Sequence, residues 1–347
     1  SKQPILSSVL LIFVSMKFIR TLLFPIVPIY YLVTWLRNKL YDAGIKPSKS
    51  YDFPVVCVGN LSTGGTGKTP MIEYLVRLLK EEKRIATLSR GYKRKTQGFV
   101  LADKNANADT IGDEPFQFHN KFNDIIVAVD SDRQNGISQL RALEKQPEVV
   151  LLDDAYQHRR VKAGFNILLT ANKNIYYKDI VLPTGNLREP RSGAKRADII
   201  VITKCKKDIS EVEKHDITSK LKLRNHQKVF FSYVDYANSV ISGVHTLALN
   251  TLPKFTLVTG IANAKPLVDF LKTKGLDFDH LEYSDHYSFK TSDIETLKSK
   301  SLIITTEKDY MRLSDIDDLK DKLYYLPIQI KIDNAEIFNS AIKSFVN

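Results

Sequence analysis

Residues 55–70 read VVCVGNLSTGGTGKTP. Val55–Gly59 is short, apolar and mostly β-branched, which predicts a buried strand. Gly64, Gly65 and Gly67, with Thr66 among them, let the backbone turn sharply and point successive N–H groups inward. Lys68 then reaches toward the outer phosphates of a bound nucleotide, and the Thr69 hydroxyl toward its Mg²⁺. Pro70 suits the first turn of a helix, and Met71, Ile72, Leu75, Leu78 and Leu79 recur behind it at helical spacing. The helix start adds its positive dipole end to the anion site. Strand, loop and helix in this order predict a phosphate cradle. In the pattern G-x-x-x-x-G-K-[ST] the first glycine is replaced here by Ser62. The plainer alternative is a glycine-rich turn with a solvated lysine.

The 347 residues are about two average domains in length. A hydrophobic content of 43% is ordinary for a globular chain. The net charge of +12 suits an anionic partner: nucleotide, nucleic acid, acidic lipid or a negatively charged leaflet. Cys57 and Cys205 lie in or beside apolar strands; they exclude a disulfide framework and a cysteine metal site, and point to a reducing, cytosolic setting. The N-terminus is different. From Pro4 to Leu36 the only charges are Lys17 and Arg20. ILSSVLLIFVSM and TLLFPIVPIYYLVTWL are each too short to span a bilayer, and the second contains Pro25 and Pro28. Tyr30, Tyr31, Trp35, Arg37 and Lys39 are the residues of an interfacial anchor, so residues 1–40 are expected to attach to a membrane. A signal peptide fits less well, because Lys2 is a thin charged start and no small-x-small site follows. A buried hairpin is the plainer reading.

Further along, IATLS (85–89), IIVAV (125–129), VVLLD (149–153), FNILLT (165–170) and DIIVIT (198–203) alternate with helical stretches such as Phe116–Phe122 and Ile137–Leu143. This predicts an α/β fold with a mostly parallel sheet, whose ligands bind beyond the carboxyl ends of the strands. Polar groups at those ends become candidates. Arg90 and the run Lys93–Arg94–Lys95 follow the second strand. Asp130, Asp132 and Arg133 follow the third, where Asp132 also reads as a helix cap. Asp153 and Asp154 end VVLLDD, where a carboxylate can hold Mg²⁺ directly or through water. Gln157 and His158 come next. In GDEP (112–115), Asp113 reads plainly as a cap, Glu114 as a first-turn acid and Pro115 as a helix starter. LPTGNLREPRSG (182–193) reads as a structured binding loop or as a loop with paired charges.

Taken in order, VGNLSTGGTGKTP, SRGYKR, GDEP, DR, LLDDAYQH, LPTGNLREP, RAD, SDHYSF and TTEKD resemble the tetraacyldisaccharide 4′-kinase family, the lipid A 4′-kinases of Gram-negative bacteria. The resemblance runs from the apolar N-terminus to about residue 313. That family's loop also lacks the first glycine. Departures are AYQH in place of the usual DGFQH, and Thr63 in place of an apolar residue.

The resemblance implies transfer of the γ-phosphoryl of MgATP to the 4′-hydroxyl of a tetraacylated glucosamine disaccharide 1-phosphate, on the cytoplasmic face of the inner membrane. It implies two α/β/α domains joined by a two-stranded hinge. A P-loop domain over 41–206 would take back the last helix, 331–347, and a smaller domain would cover 207–330. Asp113 would be the base, aided by His286, with Lys68 on the phosphates. Gly64–Thr69 and Arg133 would hold the nucleotide. Thr69, Glu114, Asp153 and Asp154 would serve the metal. Arg90, His158, Arg188 and Glu189 would line the lipid substrate's region. No nucleic acid and no obligate protein partner is expected. Two rivals remain at this stage: a membrane-associated ATP switch of the ParA/MinD type, which carries a lysine where Thr63 stands, and a soluble P-loop kinase for a small molecule.

Overall fold

A computed structural model of the chain describes residues 20–243, 245–285 and 287–347. The main strands are β1 (Val55–Asn60), β2 (Ile85–Ser89), β3 (Ile126–Val129), β4 (Val149–Asp153), β5 (Phe165–Ala171), β6 (Ile199–Thr203), β7 (Lys228–Tyr236), β8 (Phe255–Thr259) and β9 (Ile303–Thr306). The helices that carry candidate residues are α1 (Val27–Asp42), α2 (Lys68–Leu79), α3 (Asp113–Lys121), α4 (Arg133–Arg141) and α5 (Glu307–Leu313). The fold is mixed α/β with parallel sheets. The chain forms two compact units. One runs to Lys68 and takes up Glu148–Tyr233 and Ile332–Asn347; the other holds Thr69–Pro147 and Val234–Lys331.

In the first unit the strands lie in the order β7-β6-β5-β1-β4, every pair parallel. All residues of β1, β4 and β6 are buried. A parallel strand covered on both faces must be apolar throughout, which is why these segments read as unbroken Val/Ile/Leu runs. Register sets Val58 opposite Asp153, so the loop leaving β1 and the two aspartates leaving β4 emerge at one edge. The helix Ala335–Val346 packs here too, with Phe338 edge-on to Phe230 at 5.2 Å between ring centres. Both cysteines are buried, and neither forms a disulfide.

In the second unit β2 pairs parallel with β3, and the short strand Val100–Leu101 runs antiparallel to β3. A further sheet has β8 between Phe278–Glu282 and β9, all parallel, and continues through Leu323–Leu326 to two antiparallel strands, Ser239–Ser242 and His245–Ala248. Its faces are filled by an aromatic and aliphatic cluster around Leu257, Leu271 and Ile304 and a second around Val258, Ile303 and Leu313.

Helix α1 is inverted relative to ordinary surface helices. Tyr30 Oη donates to the Arg188 carbonyl at 3.0 Å, Arg37 to the Gln157 carbonyl at 2.9 Å, and buried Asn38 to Glu189 Oε2 at 2.6 Å. Ile29, Leu32, Val33 and Leu36, spaced i, i+3, i+4, i+7, face outward at 64, 58, 60 and 49% exposure. Phe24 and Leu22 extend this surface. Pro28 sits in the first turn of α1, where a missing N–H costs nothing. Among the described residues no helix is long and apolar enough to cross a membrane. The segment 1–19 of the expected anchor lies outside the described residues.

Candidate active site

The loop after β1 is shaped by two glycines with left-handed backbone, Gly64 at φ 100° and Gly67 at φ 89°. A side chain at either position would strain the bend. Four bonds hold it, three of them from distant segments. Asn60 Nδ2 donates to Thr66 Oγ1 at 2.8 Å. Thr203 Oγ1, at the end of β6, donates to the Thr66 carbonyl at 2.7 Å, and Lys204 Nζ donates to the Gly65 carbonyl at 2.5 Å. Thr63 N donates to the Asn186 carbonyl at 2.7 Å, which ties the bend to the 182–193 segment. Lys68 opens α2, with Thr69 and Pro70 in the same turn.

Asp153 closes β4 at 2% exposure. Asp154 follows in the left-handed region, φ 49°. This conformation is uncommon outside glycine and turns its carboxylate toward the cations of the loop. Lys68 Nζ lies 3.8 Å from Asp154 Oδ1. Arg188 grips the same carboxylate with both arms, Nη2 to Oδ1 at 2.7 Å and Nη1 to Oδ2 at 3.2 Å. The Nη2 arm also donates to the side-chain and main-chain oxygens of Asn60. Lys68, Asp154, Arg188 and the glycine bend are therefore one site.

Glu189 does not present a carboxylate to solvent. It is 3% exposed, and Arg196 donates to both its oxygens at 2.8 and 3.0 Å. Gln157 Nε2 donates to Oε1 at 2.9 Å while also donating to the Asn60 carbonyl at 2.9 Å. With Asn38 this makes Glu189 the hub that fixes the Arg188 segment. His158 closes a turn on the Ala155 carbonyl at 2.8 Å. The Tyr156 main chain and Cβ press against Gly59, where an added Cβ would come within 2.6 Å of the Tyr156 Cβ. Burial pushes the Tyr156 hydroxyl far up, and it donates to the Gly193 carbonyl at 2.9 Å.

The second unit holds the remaining candidates. Gly112 caps α3, and Asp113 and Glu114 are its first two residues, so Asp113 is a first-turn acid and not the cap. Its carboxylate is paired with Arg312 of α5. Asp132 caps α4 by accepting from Gln134 N at 3.0 Å. Arg133 follows, 3% exposed, donating to the Asp130 carbonyl at 3.0 Å. Arg90 is exposed and lines a cavity of about 510 Å³ with Tyr92, Gln97 and Ser131. The basic run beside it is used locally. Arg94 binds the Thr96 hydroxyl at 3.3 Å and the Gly98 carbonyl, and Lys95 pairs with Asp109 at 2.7 Å. His286 lies outside the described residues.

Sequence reading did not single out Asn60, Thr203, Lys204, Arg196 or Arg312. The first three sit at carboxyl ends of buried strands, and that placement was the available signal. Arg196 opens the RAD stretch of the resemblance, though nothing local marks it as the partner of Glu189; Arg312 carries no signal.

Among the described residues no cluster of three or more His, Cys, Asp or Glu could cage a metal ion. A nucleotide-bound Mg²⁺ keeps waters and phosphates and takes one or two carboxylates. Asp153 and Asp154, side by side past β4, are a donor set of that kind.

The family model described as "Tetraacyldisaccharide-1-P 4'-kinase" matches residues 19–347. A tetraacyldisaccharide 4′-kinase of Flavobacterium johnsoniae is 50% identical over 337 residues, which are 95% of this chain and 98% of that one. One of Bacteroides fragilis is 42% identical, covering 93% of this chain and 92% of its own. The crystal structure of LpxK from Aquifex aeolicus, described as an "apo" form in complex with ATP, is similar with a TM-score of 0.77 at 30% identity, covering 95% of this chain and all of that one.

Proposed function

The chain belongs to the tetraacyldisaccharide-1-P 4′-kinase family, and from that membership we infer how its residues divide the reaction. It is a kinase of lipid A biosynthesis that transfers the γ-phosphoryl of ATP, with Mg²⁺, to the 4′-hydroxyl of tetraacyldisaccharide 1-phosphate.

The observation that carries the residue assignment is the meeting of Lys68 and Arg188 on Asp154 beside the Gly64–Gly67 bend. Backbone N–H groups from Gly64 to Thr69, with Lys68, hold the phosphates and take up charge as it shifts in the loose transition state. Arg188, which holds Asp154 beside the bend, would line the substrate region. Thr69, Asp153, Asp154 and Glu114 would hold the ion, which would supply charge neutralisation on the phosphates. Asp113 accepts the proton of the sugar hydroxyl, with His286 assisting. A carboxylate suits this because the proton moves late. Arg133 serves the nucleotide; Arg90, His158 and Arg188 serve the substrate region, with Glu189 bracing Arg188.

The finer architecture belongs to the same reading: a P-loop NTPase-like domain over 41–206 with 331–347, a smaller domain over 207–330, a two-stranded hinge, and residues 1–40 as the membrane attachment. The outward apolar row of α1 supports that attachment. A four-chain lipid stays in its bilayer, so the enzyme works at the cytoplasmic leaflet, where the chain's positive charge meets anionic headgroups. No nucleic acid or obligate protein partner is part of this reading.

Purified protein with γ-labelled ATP and disaccharide 1-phosphate lipid should yield labelled bisphosphorylated lipid, and Lys68→Ala should lose that product by a factor on the order of 10³ while keeping its fold. Full transfer by Lys68→Ala would overturn the cradle assignment.

A further inference from the structure

Arg312 closes on two carboxylates from the last turn of α5, and none of the roles above includes it. Its side chain is 12% exposed. Nη2 donates to Asp113 Oδ2, across 199 residues of sequence, and Nη1 to Asp309 Oδ1 at 3.2 Å. Asp309 is fully buried at 0% exposure. Its Oδ2 accepts the Gly260 N–H at 2.8 Å and the Thr306 hydroxyl at 2.7 Å. Gly260 passes so near that a Cβ there would lie 2.9 Å from Asp309 Oδ1. Thr306 is also the cap of α5, accepting from Asp309 N at 3.2 Å.

The order of rigidity follows from these bonds. Asp309 is fixed by backbone on one side and by the helix cap on the other. It cannot leave its place without abandoning a buried charge. It therefore pins the guanidinium, whose planar fork has few ways to serve two acceptors at once. The guanidinium in turn fixes Asp113 at the first turn of α3.

We propose that Arg312 is a positioning residue for phosphoryl transfer, holding Asp113 at the angle that the reaction uses. The proposal rests on the reading of Asp113 as the base. In the step, the sugar O–H bond breaks and its proton passes to the Asp113 carboxylate. The sugar oxygen bonds to the γ-phosphorus, the bond to the bridging oxygen of ADP breaks, and ADP leaves with that electron pair. Protonated Asp113 then returns its proton to solvent. A carboxylate free to rotate would spend little of its time aimed at the hydroxyl, and misplacement of this kind costs rate and not binding.

The test compares full-length wild type with R312Q, R312K, D113N and R312Q/D113N, by steady-state transfer of labelled phosphate to lipid in mixed micelles, with a thermal melt of each. R312Q should lower kcat by about 10- to 100-fold and leave KM for ATP within about twofold. R312K should recover part of the rate, since it restores charge without the fork. In the D113N background the R312Q change should cost nothing further, because a residue acting through Asp113 has nothing left to act on. R312Q at the wild-type rate while D113N is crippled overturns the proposal. So does a full multiplicative loss in the double variant, which would place Arg312 on the substrate itself. D113N at the wild-type rate is a separate failure, that of the base reading. If R312Q melts early, R312K decides: a several-fold loss of kcat with an unchanged melt supports positioning, and an unchanged kcat overturns it.

Discussion

Lys204 shows how much of the nucleotide loop is decided from a distance. It follows β6 with a left-handed backbone, φ 57°, and so brings its ammonium back over Gly65. Thr203 beside it takes the next carbonyl, that of Thr66. With their carbonyls held by these donors, the loop's N–H groups would be left for the phosphates in the proposed reading. Lys204→Ala should therefore raise KM for ATP roughly tenfold and leave KM for lipid unchanged. Isothermal titration with a non-hydrolysable ATP analogue checks it, and unaltered affinity would remove the clamp. At this scale the sequence was legible where a residue type is dictated by its immediate neighbours. Gly64, Gly67, Lys68 and Asp154 stand at fixed offsets from apolar runs, and a pattern exists to be read. The Arg188 grip on Asp154 spans 34 residues and Arg312 reaches Asp113 across 199, and no local spacing encodes such pairs.

Elements were legible to the degree that burial was uniform. IATLS and VVLLD coincide with β2 and β4, because a parallel strand covered on both faces leaves a continuous apolar run. Helix starts were legible through caps and not through apolar spacing: the spacing picks out Phe116 and Ile137, whereas α3 and α4 begin at Asp113, within GDEP, and at Arg133, directly after the Asp132 cap. First turns are spent on caps, acids and exposed N–H groups, which show no hydrophobic period. Three helices meet in a charged knot that apolar spacing also conceals. Lys121 of α3 lies 2.7 Å from Glu73 of α2 and 2.6 Å from Glu307 of α5, and Arg77 joins Glu73 at 3.0 Å. Burial, then the charge of Glu73, pushes the Glu307 carboxyl up to about 7 from its ordinary 4.5, against the pull of Lys121. A folded-state proton affinity above that of the unfolded chain favours the fold at low pH. That contribution is complete below the ordinary value and is lost as pH rises through the raised one. Glu307→Gln removes the titration. Its stability relative to wild type should grow between about pH 5 and about pH 8, to on the order of 2 kcal/mol at the alkaline end. Thermal melts across that range test the sign, and a constant difference would contradict it.

For the whole molecule the decisive property is which surface is apolar. A sequence shows that residues 22–36 are greasy, but not that Tyr30, Arg37 and Asn38 are the ones turned inward. Helical spacing is symmetric with respect to inside and outside, so only the fold assigns the faces. Replacing Ile29, Leu32, Val33 and Leu36 together with serine should leave the melt within a few degrees, since these side chains are exposed. Co-sedimentation with anionic vesicles should fall by at least tenfold, given roughly 25 cal/mol for each Å² of apolar surface removed. Equal sedimentation of the two proteins would end the membrane reading of α1. The inward side of that helix has a consequence of its own. Tyr30 grips the main chain of Arg188, and Asn38 grips Glu189, so α1 cannot sink or tilt without carrying Arg188 along. On the proposed membrane reading, the helix would set the altitude at which phosphate is handled above the lipid plane. An acceptor whose sugar stood at another height would then be turned away by geometry alone, whatever its acyl chains.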